Sequence, residues 1–334
     1  METPFDFIAL GDITTDAFIK LRTDQAKVLS DRESGRAKLC MAFGDKLPYE
    51  SVEVVRAVGN SPNAAVAAAR LGLHSALISD TGDDENGKEC LVALQENGIN
   101  TDYVTVHAGE RTNYHYILWY EAERTILIKH EEYDYALPDV PAPKWLYVSS
   151  LAENSLPYHK EIIAYLKKNP QTRLAFQPGT FQIQLGYEQL SELYALSELF
   201  FCNKEEAQRI LHAPQEKDMK NLLRFMHEHG PKIVVITDGP KGAYTFDGQE
   251  MWHMPMYPDP KPPLSRTGAG DAFSSTFTSA IALGKSIFEA LTWAPINAMS
   301  VVQQIGAQKG LLSRKQIEAY LANAPVDYKA KKFA

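Results

Sequence analysis

The chain has 334 residues, 45% of them hydrophobic and 23% charged, the profile of a globular protein with room for one large α/β unit or two domains. A formal net charge of -8 speaks against a nucleic-acid or anionic-membrane partner held by bulk electrostatics and points to a small molecule. Cys40, Cys90 and Cys202 are far apart, lack metal-ligand spacing and cannot all pair within one chain, so reduced cytosolic thiols are the simplest reading.

In chain order, the opening METPFDFIALGD carries acids where a signal peptide needs a basic region. No apolar run approaches the roughly 20 residues that span a bilayer, and the expectation is a cytoplasmic protein. Short apolar runs then recur, each followed by a helical pattern: FDFIALGD, SALISDTGDD, WLYVSS, RLAFQPG, LFFCNKEE and KIVVITDGP. Strands alternating with helices predict an α/β fold, a central mostly parallel sheet covered on both faces, with ligands at the carboxyl ends of the strands. Asp12, Asp83, Asn203 and Asp238 follow their runs at those ends. The clearest helix is SPNAAVAAARLG, with Ser61 as cap, Pro62 in the first turn and Gly72 as the left-handed stop. Segments of about 18–58 and 103–130 read instead as extended and amphipathic, predicting a small side sheet. No linker divides the chain, so residues 1–334 are expected to form one domain.

The last strong helix starts in LSRTGAGDAFSS, where Phe273, Phe277, Ala280 and Ile281 recur at helical spacing. Glycines leave N–H groups uncovered and a helix start leaves several unpaired, so Gly268, Ala269 and Gly270 suit an anion. A dinucleotide fingerprint fails because its third glycine position holds Phe273, and a phosphate loop fails because no Gly-Lys-Ser/Thr follows. Two readings of Asp271 remain: a helix cap, or a base taking a hydroxyl proton during phosphoryl transfer.

Further motifs bear on that choice. Ser265-Arg266-Thr267-Gly268-Ala269-Gly270-Asp271 resembles the carboxy-terminal signature of the ribokinase-like, PfkB-type carbohydrate kinases, and Gly59-Asn60-Ser61-Pro62-Asn63 resembles their amino-terminal one. The resemblance runs over nearly the whole chain and implies a ribokinase-like fold in which the two extended segments form a β-sheet lid over the sugar site. It implies Asp271 as base and Gly268, Ala269 and Gly270 as anion hole. Asp16, Gly59, Asn60 and Asn63 would hold the acceptor, with Arg111, Asn113 and His115 facing it from the lid. Asn203, Glu206, Thr237, Gly239, Gly242 and Asn297 would serve ATP, and Glu206 would reach Mg²⁺ through water. Gly82-Asp83-Asp84 and Gly87 resemble an architectural turn of the family. Lid sheets of the family often pair, which makes a homodimer an expectation.

Two departures stand out. Ser265 replaces the family's aspartate, weakening any expectation of K⁺ activation, and Arg266 adds a cation beside the nucleotide phosphates. Asn60 replaces the second glycine of the amino-terminal pair. The expected reaction is ATP-dependent phosphorylation of a primary hydroxyl on a small ribose- or fructose-like sugar. The alternatives are a nucleoside kinase, whose base Tyr114, Tyr116, Trp119 and Tyr120 would stack on, and a sensor that binds sugar or nucleotide without turnover. A sugar-phosphate acceptor would want a basic cluster in the lid, where Arg111 is the obvious candidate.

Overall fold

The computed structural model describes residues 5–30, 37–121 and 123–333. Its first half runs β1 (Phe7–Leu10), β2 (Thr14–Leu21), β3 (Ala26–Ser30), β4 (Ala37–Met41), β5 (Tyr49–Val58), α1 (Asn60–Arg70), β6 (Ser75–Gly82), α2 (Glu85–Glu96), β7 (Val104–His107), β8 (Asn113–Tyr120), β9 (Glu123–Leu127), β10 (Trp145–Val148) and α3 (Leu156–Lys168). The second continues β11 (Arg173–Phe176), α4 (Thr180–Leu185), α5 (Tyr187–Leu196), β12 (Ser197–Asn203), α6 (Lys204–Ile210), α7 (Met219–Glu228), β13 (Ile233–Thr237), β14 (Ala243–Phe246), β15 (Met251–Met254), α8 (Ala269–Ala282), α9 (Ile287–Val302), α10 (Arg314–Ala322) and β16 (Lys331–Lys332).

The apolar runs read as strands join one ten-stranded sheet, ordered β16-β15-β14-β13-β12-β11-β10-β1-β6-β7. From β7 to β13 neighbours are parallel; β14, β15 and β16 close the far side antiparallel. A strand buried on both faces must be apolar at every position, and β1 is: Phe7 and Ala9 pack in one core layer, Ile8 and Leu10 in the other. The first layer holds α1, α8 and α9, the second α3, α5 and α7. The resulting three-layer α/β/α arrangement leaves the carboxyl ends of the parallel strands open.

α1 begins two residues before the sequence suggests. Gly59 stands at its cap with φ 120°, and Ser61 is no cap: its hydroxyl donates to Leu10 O (2.6 Å) and bonds Ser149. A Cβ on Gly59 would come within 2.7 Å of Asp12 O, so this turn requires glycine sterically as well as conformationally. Gly72, at φ 94°, ends the helix as expected.

A separate small sheet has the order β5-β2-β8-β9, and β3 and β4 pair by themselves. The expected lid boundaries need correction. The small sheet starts at Thr14, and β7 belongs to the edge of the large sheet, pairing Ser79 with Val104 and Gly82 with His107. Asp80 reinforces that edge through His107 Nε2 at 2.7 Å. Residues 31–36 and 122 of the expected lid lie outside the described residues. Alternation along β2 and β8 puts Asp16 and His115 on the inner face and Tyr114 and Tyr116 on the outer one. Among the described residues no helix is long and apolar enough to cross a membrane.

Candidate active site

α8 enters from Gly268 in the left-handed conformation, φ 79°, and a Cβ there would lie 2.3 Å from that of Ala307. Only glycine satisfies both conditions. Ala272 N already bonds Gly268 O (2.8 Å), which leaves the N–H groups of Ala269, Gly270 and Asp271 at the open helix start. Gly270 has open space where a Cβ would be, so a ligand can approach its backbone.

Asp271 does not cap α8. Its carboxylate turns outward to three amides: Asn60 Nδ2 and Gln177 Nε2 donate to Oδ1 (2.9 and 3.1 Å), and Asn63 Nδ2 donates to Oδ2 (2.8 Å). Two of the amides are themselves oriented. The Tyr147 and Ser274 hydroxyls donate to Gln177 Oε1, and Gln308 donates to Asn63 Oδ1 (3.1 Å) and to Ala57 O (2.6 Å). An amide whose oxygen is occupied by donors must present its NH₂ to the carboxylate. Burial pushes the Asp271 carboxyl above the usual carboxylate range, opposed by the Asn63 and Gln177 amides and the charge of Arg124, and aided by Asp16. Such a group is a stronger base than a solvated aspartate yet remains held in its ionised geometry.

Asp271 lines a cavity of about 240 Å³ with Asp16, Gly59, Asn60, Asn63, His115, His130, Gln177, Glu206 and Thr267, and with Ile126 of the small sheet and Ile128 just past its last strand. Asp16 leaves Oδ1 without a hydrogen-bond donor in good geometry, although His115 Nδ1 stands 3.3 Å away. Next to them Asp12 is fully engaged, receiving Tyr135 OH on Oδ1 (2.7 Å) and His130 Nδ1 at 2.5 Å on Oδ2. Two expected contacts are absent. Asn113 is wholly buried, donating to Ile13 O (3.0 Å) and accepting from Glu131 N (2.6 Å), so it braces the chain behind the cavity. Arg111 is exposed and outside the cavity lining, and only its carbonyl is used, by Tyr133 OH (2.7 Å). Sequence reasoning missed Gln177 and Arg124; the latter shares the face of β9 that carries Ile126, a period-2 signal available in ERTIL.

A larger cavity, about 520 Å³, lies on the other side of the α8 start, lined by Ala269 and Gly270 together with Asn203, Thr237, Gly239, Gly242 and Arg266. Its apolar wall is Pro295, Ala298, Met299 and Val302, one helical face of α9, facing Met256 and Tyr257. Asn297 lies on another face of that helix and, contrary to the expectation, outside the lining of this cavity. It is fully buried, donating to Thr276 Oγ1 (2.7 Å) and accepting from Leu312 N (2.9 Å), and so anchors the segment that carries Ala307 and Gln308. Gly242 lies at φ 89° with Met254 O 2.1 Å from any Cβ.

Asn203 and Glu206 form a reciprocal capping box on α6, Asn203 Oδ1 accepting from Glu206 N and Glu206 Oε2 from Asn203 N, both at 2.8 Å. Glu206 faces the smaller cavity and its carboxyl is raised, chiefly by burial. Among the described residues no three His, Cys, Asp or Glu side chains are grouped to hold a metal ion. One acid with a free oxygen fits Mg²⁺ carried mainly by phosphates and water, not by a protein cage. Ser265 is buried and spends its hydroxyl on Thr267, donating to Oγ1 (3.1 Å) and accepting from N (3.2 Å).

Residues 40–314 match the pfkB family carbohydrate kinases. The chain belongs to that family. Membership makes it an ATP-dependent phosphotransferase acting on a hydroxyl, with a carbohydrate acceptor as the family's class. The kinase is 27% identical over 349 residues to 5-dehydro-2-deoxygluconokinase 1 of Bacillus cereus, with 96% of each chain covered. It is 25% identical over 283 residues, 82% of its length, to the bifunctional ribokinase/ribose-5-phosphate isomerase A of Fructilactobacillus sanfranciscensis, and spans about half (51%) of that longer protein. In fold it superposes on Arabidopsis thaliana ribokinase, complexed with ribose and ATP, with a TM-score of 0.78 at 19% identity, covering 96% of the kinase and 99% of the other chain.

Proposed function

We propose that the kinase transfers the γ-phosphoryl group of ATP to a primary hydroxyl of a small sugar held in the smaller cavity. The observation that carries this reading is Asp271: an oriented carboxylate at an open helix start, with one cavity on each side. The sugar hydroxyls meet Asp16, whose unpartnered Oδ1 can accept from them, and the amides of Asn60 and Asn63 exchange between Asp271 and the sugar. The attacking oxygen gives its proton to Asp271 as it bonds to the γ-phosphorus, the bond from that phosphorus to the bridging oxygen breaks and ADP leaves with the electron pair, and the N–H groups of Ala269, Gly270 and Asp271 receive the charge on the phosphoryl oxygens. Gly239 and Gly242 let the Thr237 turn approach the nucleotide, and the apolar face of α9 packs on its base. Mg²⁺, when bound, supplies neutralisation of the phosphate charge, with Glu206 facing its water shell.

The small cavity volume suits a monosaccharide better than a nucleoside. None of Tyr114, Tyr116, Trp119 or Tyr120 lines either cavity, so the side chains expected to stack a base do not face one. The small sheet covers the sugar and excludes water that would otherwise accept the phosphoryl group. Its outer face exposes Val52, Val54, Tyr116 and Leu127, an apolar surface that supports pairing of two copies.

The test is a panel of ribose, fructose, related ketoses, sugar acids and nucleosides assayed for ADP release, followed by mapping of the phosphorylated position. Turnover on a small sugar at a primary hydroxyl, lost by at least about 100-fold in Asp271→Asn, is the expected result. Wild-type turnover in that variant removes Asp271 from the role of base, and ATP binding without turnover across the panel overturns the reading.

A further inference from the structure

Arg124 is the polar group of the small sheet that the chemistry above leaves unused. Its Nε is buried and has no hydrogen-bond partner, and among the described residues its guanidinium forms no ion pair. A buried donor without a partner costs about 1–3 kcal/mol, more when charged, so it calls for an explanation. Its neighbourhood is specific. Ile126, on the same face of the strand, and Ile128, just past its end, line the smaller cavity, while Arg124 itself lies outside the lining of both cavities. The adjacent Glu123 reaches Arg266 Nε at 3.7 Å, and Arg266 lines the larger cavity. The charges of both Asp271 and Asp16 act on Arg124, yet Asp271 already has its two oxygens bonded by amides and does not need it.

We infer that Arg124 is a catalytic residue that bonds the transferring phosphoryl group where the two cavities meet, opposite the N–H groups of the α8 start. This rests on the function proposed above. The site is otherwise acidic: Asp16, Glu206 and Asp271 all face the smaller cavity, and a phosphoryl group entering it meets like charge. A guanidinium supplied from the small sheet offsets that repulsion and adds planar donors suited to phosphate oxygens. Because the donor arrives on the sheet that covers the sugar, phosphoryl transfer is favoured only once that sheet is in place.

The test pairs binding with turnover. Binding of ADP with Mg²⁺ is measured by calorimetry with and without aluminium fluoride, which mimics the phosphoryl group in flight, for wild type, Arg124→Ala and Arg124→Lys. The expected result is ADP affinity within about twofold in all three, with the fluoride-induced tightening reduced about 100-fold in Arg124→Ala and partly restored in Arg124→Lys; thermal melting checks that each variant folds. Turnover falls in parallel, in kcat and not in acceptor KM. Unchanged tightening in Arg124→Ala overturns the inference. So does a rise in KM confined to acid acceptors such as gluconate against ribose, which would make Arg124 a reader of the sugar. Failure of wild type to bind ADP or turn over any acceptor instead removes the underlying function.

Discussion

Gln177→Met tests whether oriented amides keep Asp271 ready to take a proton. Methionine preserves length and removes one of the two donors to Oδ1, leaving that of Asn60, while the Tyr147 and Ser274 hydroxyls retain each other at 2.7 Å, so no buried group is orphaned. A hydrogen bond to a charged group contributes about 1.5–3 kcal/mol. At 1.36 kcal/mol per pH unit, its loss raises the Asp271 carboxyl by about one to two units. The sign follows from which form is bonded: the amide stabilises the ionised carboxylate, so without it the proton is held to higher pH. The acid limb of kcat/KM therefore moves up by about one to two units, and the alkaline plateau stays within a few-fold. The assay is kcat/KM by ADP release from pH 5 to 9 at constant ionic strength. An acid limb at the wild-type pH, or an equal loss at every pH, refutes the argument.

Asn297→Ala should lower Tm through loss of two buried hydrogen bonds, about 2–3 kcal/mol in all, and leave the KM for ATP within about threefold; a selective rise in that KM would restore the residue to the nucleotide site. Asp80 is pushed up to about 6, chiefly by burial and against the pull of His107, so the folded chain holds a proton that the unfolded chain has released. Its contribution favours folding at low pH and is lost as pH rises from about 4 to 6, by up to about 3 kcal/mol. Urea denaturation of Asp80→Asn at pH 4.5 and 7 should lack that slope, and parallel behaviour of the two proteins would contradict it. If two copies pair through the outer face of the small sheet, wild type should sediment as a dimer and Val54→Lys with Leu127→Lys as a monomer; an unchanged sedimentation coefficient excludes pairing through that face.

Local sequence determined what depends on local physics. Doubly buried strands such as FIAL and IVVIT are legible because each residue must be apolar, and the glycines at 59, 268 and 242 because their turns admit no side chain. The Gly-Ala-Gly-Asp stretch announces a helix start with bare N–H groups, but whether its aspartate caps the helix or turns outward was decided by Asn60, Asn63 and Gln177, which lie 94 to 211 residues away. Asn297 and Asn113 look like ligand residues because amides suit ligands, yet an amide also satisfies buried backbone, and only packing distinguishes the two. β7 reads like a small-sheet strand because register against β6 is a tertiary choice. Gln177 carries no local signal: its amide gains a direction from Tyr147 on the neighbouring strand and Ser274 on a distant helix. Arg124 is one more exposed-looking charge in a strand until the small sheet forms and buries its Nε without a hydrogen-bond partner.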